Sequence, residues 1–137
     1  MKRVLITGSR SWENERVIRQ VLNRLIERQP PRSILIIAGG APGVDTIAER
    51  EAKKLGIHVA RIDALWDSYE RSAGPTRNGV MLALKPRLVI AFHWNLADSK
   101  GTKNCVERAE RKGIPVKRIE IPRAVAMPSG ERKKKRT

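Results

Sequence analysis

Short apolar runs and amphipathic stretches take turns through the first 121 residues, and few folds accept that order. Val4-Leu5-Ile6 reads as a strand that ends at Gly8. Residues 14–28 follow, with Val17, Ile18, Val21, Leu22, Leu25 and Ile26 spaced to share one helical face, until Pro30-Pro31 stops the run. Residues 34–38 form a second strand, ended by Gly39-Gly40. A helix is predicted from about residue 43 to 55, with Val44, Ile47, Ala48, Ala52 and Leu55 on one side and Gly56 as its stop. A third strand spans 57–62, and a long connection through Trp66 and Tyr69 leads to a helix at about 76–84, closed by Pro86. The fourth strand covers 87–92, a short helix about 103–112, and the fifth strand 116–121. Strands separated by helices predict an α/β domain in which a parallel sheet carries helices on both faces.

Strand composition suggests an order. The first, second and fourth strands are nearly continuous apolar runs, as interior strands buried on both faces require. The third contains His58 and Arg61, and the fifth contains Lys117, Arg118 and Glu120, which suits edges. The order 3-2-1-4-5 meets both conditions. It puts a topological switch point between the first and fourth strands, where such sheets bind ligands beyond the strand C-termini.

With 137 residues the chain is long enough for one domain with a real core. No apolar run approaches the ~20 residues that span a bilayer, and MKRVLITGSR lacks the apolar stretch of a signal peptide. A single cysteine, Cys105, excludes an intrachain disulfide framework and a thiolate zinc site. A cytoplasmic location with no membrane partner is the expectation. The net charge is +15, of which the last sixteen residues carry +5 and residues 1–121 carry +10. Residues 122–137 are expected to be a basic, disordered tail. The body is basic in its own right, which suits polyanionic partners or phosphate-bearing ligands.

Three loops at the predicted strand ends look specialised. In Gly8-Ser9-Arg10-Ser11-Trp12, glycine permits a tight turn, Ser9 and the backbone offer donors for phosphate oxygens, and Arg10 supplies a two-pronged cation. Gly39-Gly40-Ala41-Pro42-Gly43-Val44-Asp45 leads straight into a helix, where small residues admit a ligand and the N-terminus favours an anion. Ala73-Gly74-Pro75-Thr76-Arg77-Asn78 also precedes a helix, and Ser99-Lys100-Gly101-Thr102 is a weaker version of it. Two roles are open for Asp45: accepting hydrogen bonds from ribose hydroxyls, or capping its own helix. Neither a Walker A pattern nor GxGxxG is present.

The five aromatic residues, Trp12, Trp66, Tyr69, Phe92 and Trp94, lie at or beyond predicted strand C-termini, where a ring can stack on a base or pad a loop. His58 and His93 sit on different strands with no ligand partner at metal-binding spacing. Cys105 reads as a packing residue on a helix.

The ordered set Gly8-Ser9-Arg10 with Trp12, Gly39-Gly40-Ala41 with Gly43 and Asp45, Ala73-Gly74-Pro75 with Arg77-Asn78, and the closing Gly113-Ile114-Pro115-Val116 resembles the SLOG superfamily. The nearest likeness is to its cpYpsA-related branch, found in bacteria and their phages, and it covers about residues 2–121. The resemblance implies a single Rossmann-like three-layer domain that binds a nucleotide or nucleotide-derived ligand and self-associates. On this reading Arg10 and the 39–43 backbone hold phosphate and Asp45 holds ribose. Arg77 and Asn78 orient the ligand, Trp12 or Trp66 covers the base, and Gly74, Pro75, Gly101 and Thr102 complete the site. Two relatives imply alternatives. The DNA-processing protein A family has a similar Gly-Ser-Arg and a loop like residues 39–45, and it binds single-stranded DNA. The lonely-guy phosphoribohydrolases cleave nucleoside monophosphates at the N-glycosidic bond. Their Pro-Gly-Gly-x-Gly-Thr-x-x-Glu pattern is not reproduced here, and Glu49 falls out of its register. If the chain is an enzyme, Asp45 and Arg77 are its catalytic candidates. No cofactor and no metal is expected.

Overall fold

The computed structural model describes residues 1–64, 73–96 and 99–129. Its strands are β1 (Lys2–Gly8), β2 (Ile34–Ala38), β3 (His58–Arg61), β4 (Leu88–His93) and β5 (Val116–Glu120). They make one all-parallel sheet in the order β3-β2-β1-β4-β5. The helices are α1 (Glu15–Arg28), α2 (Val44–Lys54), α3 (Ala73–Ala83), α4 (Lys100–Arg111) and α5 (Arg123–Ala126). This is the parallel α/β sheet that the alternating pattern predicts, in the order that strand composition suggests, and it is the Rossmann-like fold that the resemblance implies. None of the described helices is long and apolar enough to cross a membrane.

The apolar runs are continuous because successive side chains serve opposite layers. Val4, Ile6, Ile34, Ile36, Ile90 and Phe92 face α1 and α2, where they meet Ile18, Leu22, Val44 and Ala48. Leu5, Ile37 and Val89 face the other way, onto Met81, Leu82, Cys105 and Ala109 of α3 and α4. The central strands are therefore buried on both faces, while β3 and β5 are half-exposed edges. Cys105 is a packing residue, fully buried, and burial together with the charge of Asp45 pushes its thiol up to about 12.

Two helices start earlier than their apolar periodicity indicates. α3 begins at Ala73, so Gly74 and Pro75 lie in its first turn; proline is tolerated there because first-turn amides have no intrahelical acceptor. α4 begins at Lys100, which places Gly101 and Thr102 in its first turn as well. The third and fourth loops expected from the sequence are thus helix starts.

The boundary expected at residue 121 also moves. α5 lies across the β1–α1 connection, with Ala126 fully buried in the core. The Ala126 carbonyl accepts the amides of Glu13 (2.8 Å) and Asn14 (3.1 Å), and Asn14 Nδ2 donates to the Val125 carbonyl at 3.0 Å. Asn14 Oδ1 in turn caps α1 by accepting the Val17 amide at 3.2 Å. Residues 122–129 are therefore part of the folded body, a clasp over the start of α1; residues 130–137 lie outside the described residues.

Trp12 is a core residue. It is 2% exposed, its ring meets Phe92 edge-on at 5.7 Å and 73°, and its indole N–H donates to the Asn14 carbonyl at 2.8 Å. It is not available to cover a base. Trp12→Ala is expected to lose about 3–5 kcal/mol in urea denaturation, as truncation of buried aromatics does. A ligand-covering surface residue would change stability by no more than about 0.5 kcal/mol.

Candidate functional site

Three strand ends converge beyond β1. The Ser9 amide donates to the Phe92 carbonyl (3.1 Å) at the end of β4, and the Ser9 carbonyl accepts the Val44 amide (3.1 Å) at the start of α2. That second bond needs a close approach. Gly43 has φ +79°, and a Cβ there would lie 2.6 Å from the Arg10 carbonyl oxygen and nearer still to that of Ser9. Within the first loop Ser9 Oγ accepts the Ser11 amide at 3.2 Å. Within the second, the Ala41 carbonyl takes both the amide (3.2 Å) and the hydroxyl (2.6 Å) of Thr46. The glycine loops are thus bonded to one another and to α2 through the Ser9 and Ala41 carbonyls. Gly39 lies against the Arg77 guanidinium and Asp45. Gly40 and Gly43 border a separate open groove of about 470 Å³ beside Thr46 and Arg50.

The small residues also make room for a chain of buried polar groups. Arg77 Nη1 donates to the Gly39 carbonyl at 2.7 Å, and Arg77 Nε donates to Asn78 Oδ1 at 3.2 Å. Asn78 Nδ2 then donates to the Gly101 carbonyl (3.2 Å) and to Asn104 Oδ1 (3.1 Å). One run of hydrogen bonds therefore ties the end of β2, through α3, to the start of α4.

Asp45 sits beside this run on the first turn of α2. Its Oδ2 accepts the Ala41 amide at 3.4 Å, so it braces the loop before its helix rather than capping the helix itself. Its Oδ1 is buried without a hydrogen-bond partner, and the residue is 5% exposed. Burial raises its pKa to about 6; the charges of Arg77 and Arg10 and the backbone of Ala41 and Gly39 hold it from rising further.

A cavity of about 600 Å³ opens over Asp45 at the switch point between β1 and β4. Of the residues expected from the sequence, it is lined by Gly8, Ser9, Arg10, Ala41, Asp45, Gly74, Pro75, Arg77, Asn78, Gly101 and Thr102. Trp12, Gly39, Gly40 and Gly43 do not line it, and Trp66 lies outside the described residues, as does Tyr69. Ser11, Trp94, Ser99 and Lys100, which the sequence places in or beside the specialised loops without a stated role, line it as well, and Thr7 and Asn104 line it unanticipated. Asn104 could have been found by starting α4 one turn earlier.

The α4 end of the cavity is cationic. Ser99 stands at the N-cap without capping through its side chain; its hydroxyl donates to Thr102 Oγ1 at 2.7 Å. First-turn amides project from a helix start and favour an anion, and Lys100 and Arg10 stand on the same cavity. Beneath it His93 is 3% exposed with neither ring nitrogen partnered. Burial lowers its pKa, against the opposing charge of Glu120, so the imidazole is neutral at pH 7.

Comparison with known proteins agrees with this architecture. The model of the YspA, cpYpsA-related SLOG family (YAcAr) matches residues 2–69. The Gene 61 protein of Mycobacterium phage D29 is 36% identical over 123 residues, covering 85% of this chain and 94% of that protein. The crystal structure of DNA processing protein A from Streptococcus pneumoniae is similar in fold, with a TM-score of 0.72 at 20% identity. That similarity covers 99% of this chain but 56% of the other, so the chain spans little more than half the length of that protein. On the family match and the phage relative, this chain belongs to the YspA, cpYpsA-related SLOG family.

Proposed function

We propose that the switch-point cavity binds a nucleotide or nucleotide-derived ligand, with phosphate at the first turn of α4 and ribose over Asp45. The observation that carries this reading is Asp45: a carboxylate almost wholly buried, with one oxygen unpartnered, on a cavity otherwise lined by cations and neutral donors. An orphaned buried acceptor is costly, and a ligand hydroxyl satisfies it. Phosphate belongs at the far end, near Lys100, Arg10 and the α4 amides, where Asp45 does not repel it. Trp94 supplies an apolar surface for the base. The volume falls within the roughly 300–1,000 Å³ of small-molecule sites.

A second reading rests on the same residue. A carboxyl with its pKa raised to about 6 is poised for proton transfer near pH 7, which hydrolysis at the N-glycosidic bond requires. Arg77 does not act as a free polarising cation in this scheme, because it is tied to Gly39 and Asn78. Single-stranded DNA in this cleft would, like a nucleotide, have Trp94 and not the buried Trp12 as its stacking surface.

Isothermal titration with nucleoside 5′-monophosphates tests the proposal. Ribonucleotides should bind roughly 10–100-fold more tightly than their 2′,3′-dideoxy counterparts, the worth of a hydrogen bond to a charged group. Equal affinities would remove Asp45 from the site, and no binding at all would end the proposal. Release of free base by the wild type and not by Asp45→Asn would establish the hydrolase reading.

Asp45 also ties the site to stability. Its folded-state pKa of about 6 stands above the unfolded value near 3.8, so the folded chain holds that proton more tightly. The stability this gives is present in full below about pH 4 and is lost as pH rises through 6. At pH 7 the ionised carboxylate therefore costs on the order of 3 kcal/mol. Asp45→Asn should melt at a higher temperature than the wild type at pH 7.5, with the gap closing towards pH 4, while ligand affinity falls.

A further inference from the structure

The two ends of the sheet differ in charge. The connections that lead from a helix into a strand are residues 29–33, 55–57, 84–87 and 112–115, and they contain no Asp or Glu. They and the helix ends beside them carry Arg28, Arg32, Lys85, Arg87, Arg111 and Lys112, all exposed. The ion pairs among the described residues involve none of these six. The nearest acids along the chain are Glu27 and Glu110, and Glu110 is held by Arg118 at 3.0 Å. The loops at the opposite end, by contrast, carry Glu13 and Asp63 among the described residues.

The helix dipole accounts for Arg28, Arg111 and Lys112, which sit at helix C-termini. It does not account for Lys85 and Arg87, which lie outside the helices, or for Arg32, whose single 3-10 turn (Pro31–Ser33) is too short to build a macrodipole. Lys85 occupies a left-handed conformation, φ 55°, just past the end of α3, where glycine or asparagine is the relaxed choice. A lysine there bears backbone strain that glycine would relieve, and its exposed side chain adds a cation to this end of the sheet. Prolines stiffen the same connections: Pro30-Pro31 beside Arg32, Pro86 between Lys85 and Arg87, and Pro115 after Lys112. Cations on a fixed backbone bind a polyanion with little ordering cost.

We propose that this strand-N-terminal edge is a nucleic-acid surface, separate from the cavity and independent of the reading given to it. The strands β2, β1, β4 and β5 are neighbours, so the cations span three interstrand steps, about 14 Å. That is about four base-pair rises along B-DNA. The described aromatics Trp12, Phe92 and Trp94 all lie towards the other end of the sheet, at or beyond strand C-termini, which leaves phosphate contacts alone here. Recognition is therefore independent of sequence and favours duplex over single strand, because duplex carries the denser charge.

The test is fluorescence anisotropy of the full chain with a labelled 20-base-pair DNA duplex, from 50 to 300 mM salt. The variant is Arg32→Gln/Lys85→Asn/Arg87→Gln, chosen from exposed residues and omitting Arg3, whose guanidinium caps the Leu84 carbonyl at 2.6 Å. Removing one cation from a phosphate lowers the log–log salt slope by about 0.9. The variant should fall by roughly two to three units of slope and by at least about tenfold in affinity near 100 mM salt, with a melting temperature no lower than that of the wild type. Arg32→Lys/Arg87→Lys should bind as the wild type does. An unchanged slope and affinity in the triple variant would overturn the proposal and assign any DNA binding to the basic segment 130–137 or to the cavity edge. Binding of the wild type to anionic phospholipid vesicles but not to duplex would overturn it too.

Discussion

The site hangs on the contact between the turn after β1 and the start of α2. Backbone meets backbone there, through the Val44 amide and the Ser9 carbonyl, and any side chain at Gly43 would force the two apart. Gly8 is under the same pressure: a Cβ would stand 2.5 Å from both the Phe92 carbonyl and a Val44 methyl. This contact fixes α2 against β1 and β4, and so fixes Asp45 at the base of the cavity. The glycines set the geometry of the cavity from behind while other residues form its wall.

Behind that wall the fold keeps a charged group in an unfavourable state. Arg77 is well provided for, with a carbonyl and an amide oxygen as acceptors. Asp45 accepts the Ala41 amide at 3.4 Å, near the Gly39 backbone and the charges of Arg77 and Arg10, but its other oxygen is buried without a hydrogen-bond partner, and burial prevails in its raised pKa. Replacing a buried ion by a neutral group of like size commonly stabilises a protein. Strained titratable groups collect at functional sites because the ligand, not the fold, completes them. Cys105 shows the contrast: equally buried, it is neutral and packs as a small apolar residue.

Periodicity made the fold legible because each layer answers to one period. Alternating burial on β1, β2 and β4 required continuous apolar runs, and the charged residues of β3 and β5 could only be edges. The misjudged boundaries are those where periodicity is silent. Ala73, Gly74 and Pro75 carry no apolar stripe, and Lys100 and Gly101 likewise start a helix with polar or small residues. α5 was hidden because Ala126, its one buried residue, is small and stands in a segment of basic composition. At the site, residue types near the strand ends were legible, but which glycines face a ligand was not. A glycine needed for packing and a glycine needed for binding look alike until the neighbouring backbone is seen.

The charge excess follows the polarity of a parallel sheet. All helices that cover such a sheet run against its strands, so their positive ends gather with the strand C-termini and their negative ends with the strand N-termini. At the first end the helix starts themselves attract anions, so few side-chain cations suffice there: Arg10 and Lys100 on a cavity otherwise neutral but for Asp45 and the tied Arg77. At the second end the carbonyl ends of the helices repel anions. A polyanion could approach only if side chains overturned that field, and the cations on 29–33, 84–87 and 112–115 exceed what three helix ends need. A fold with one ligand site would need cations at one end. This chain puts them at both, as the two proposed ligands, a small anion at the cavity and a long one at the opposite edge, would require.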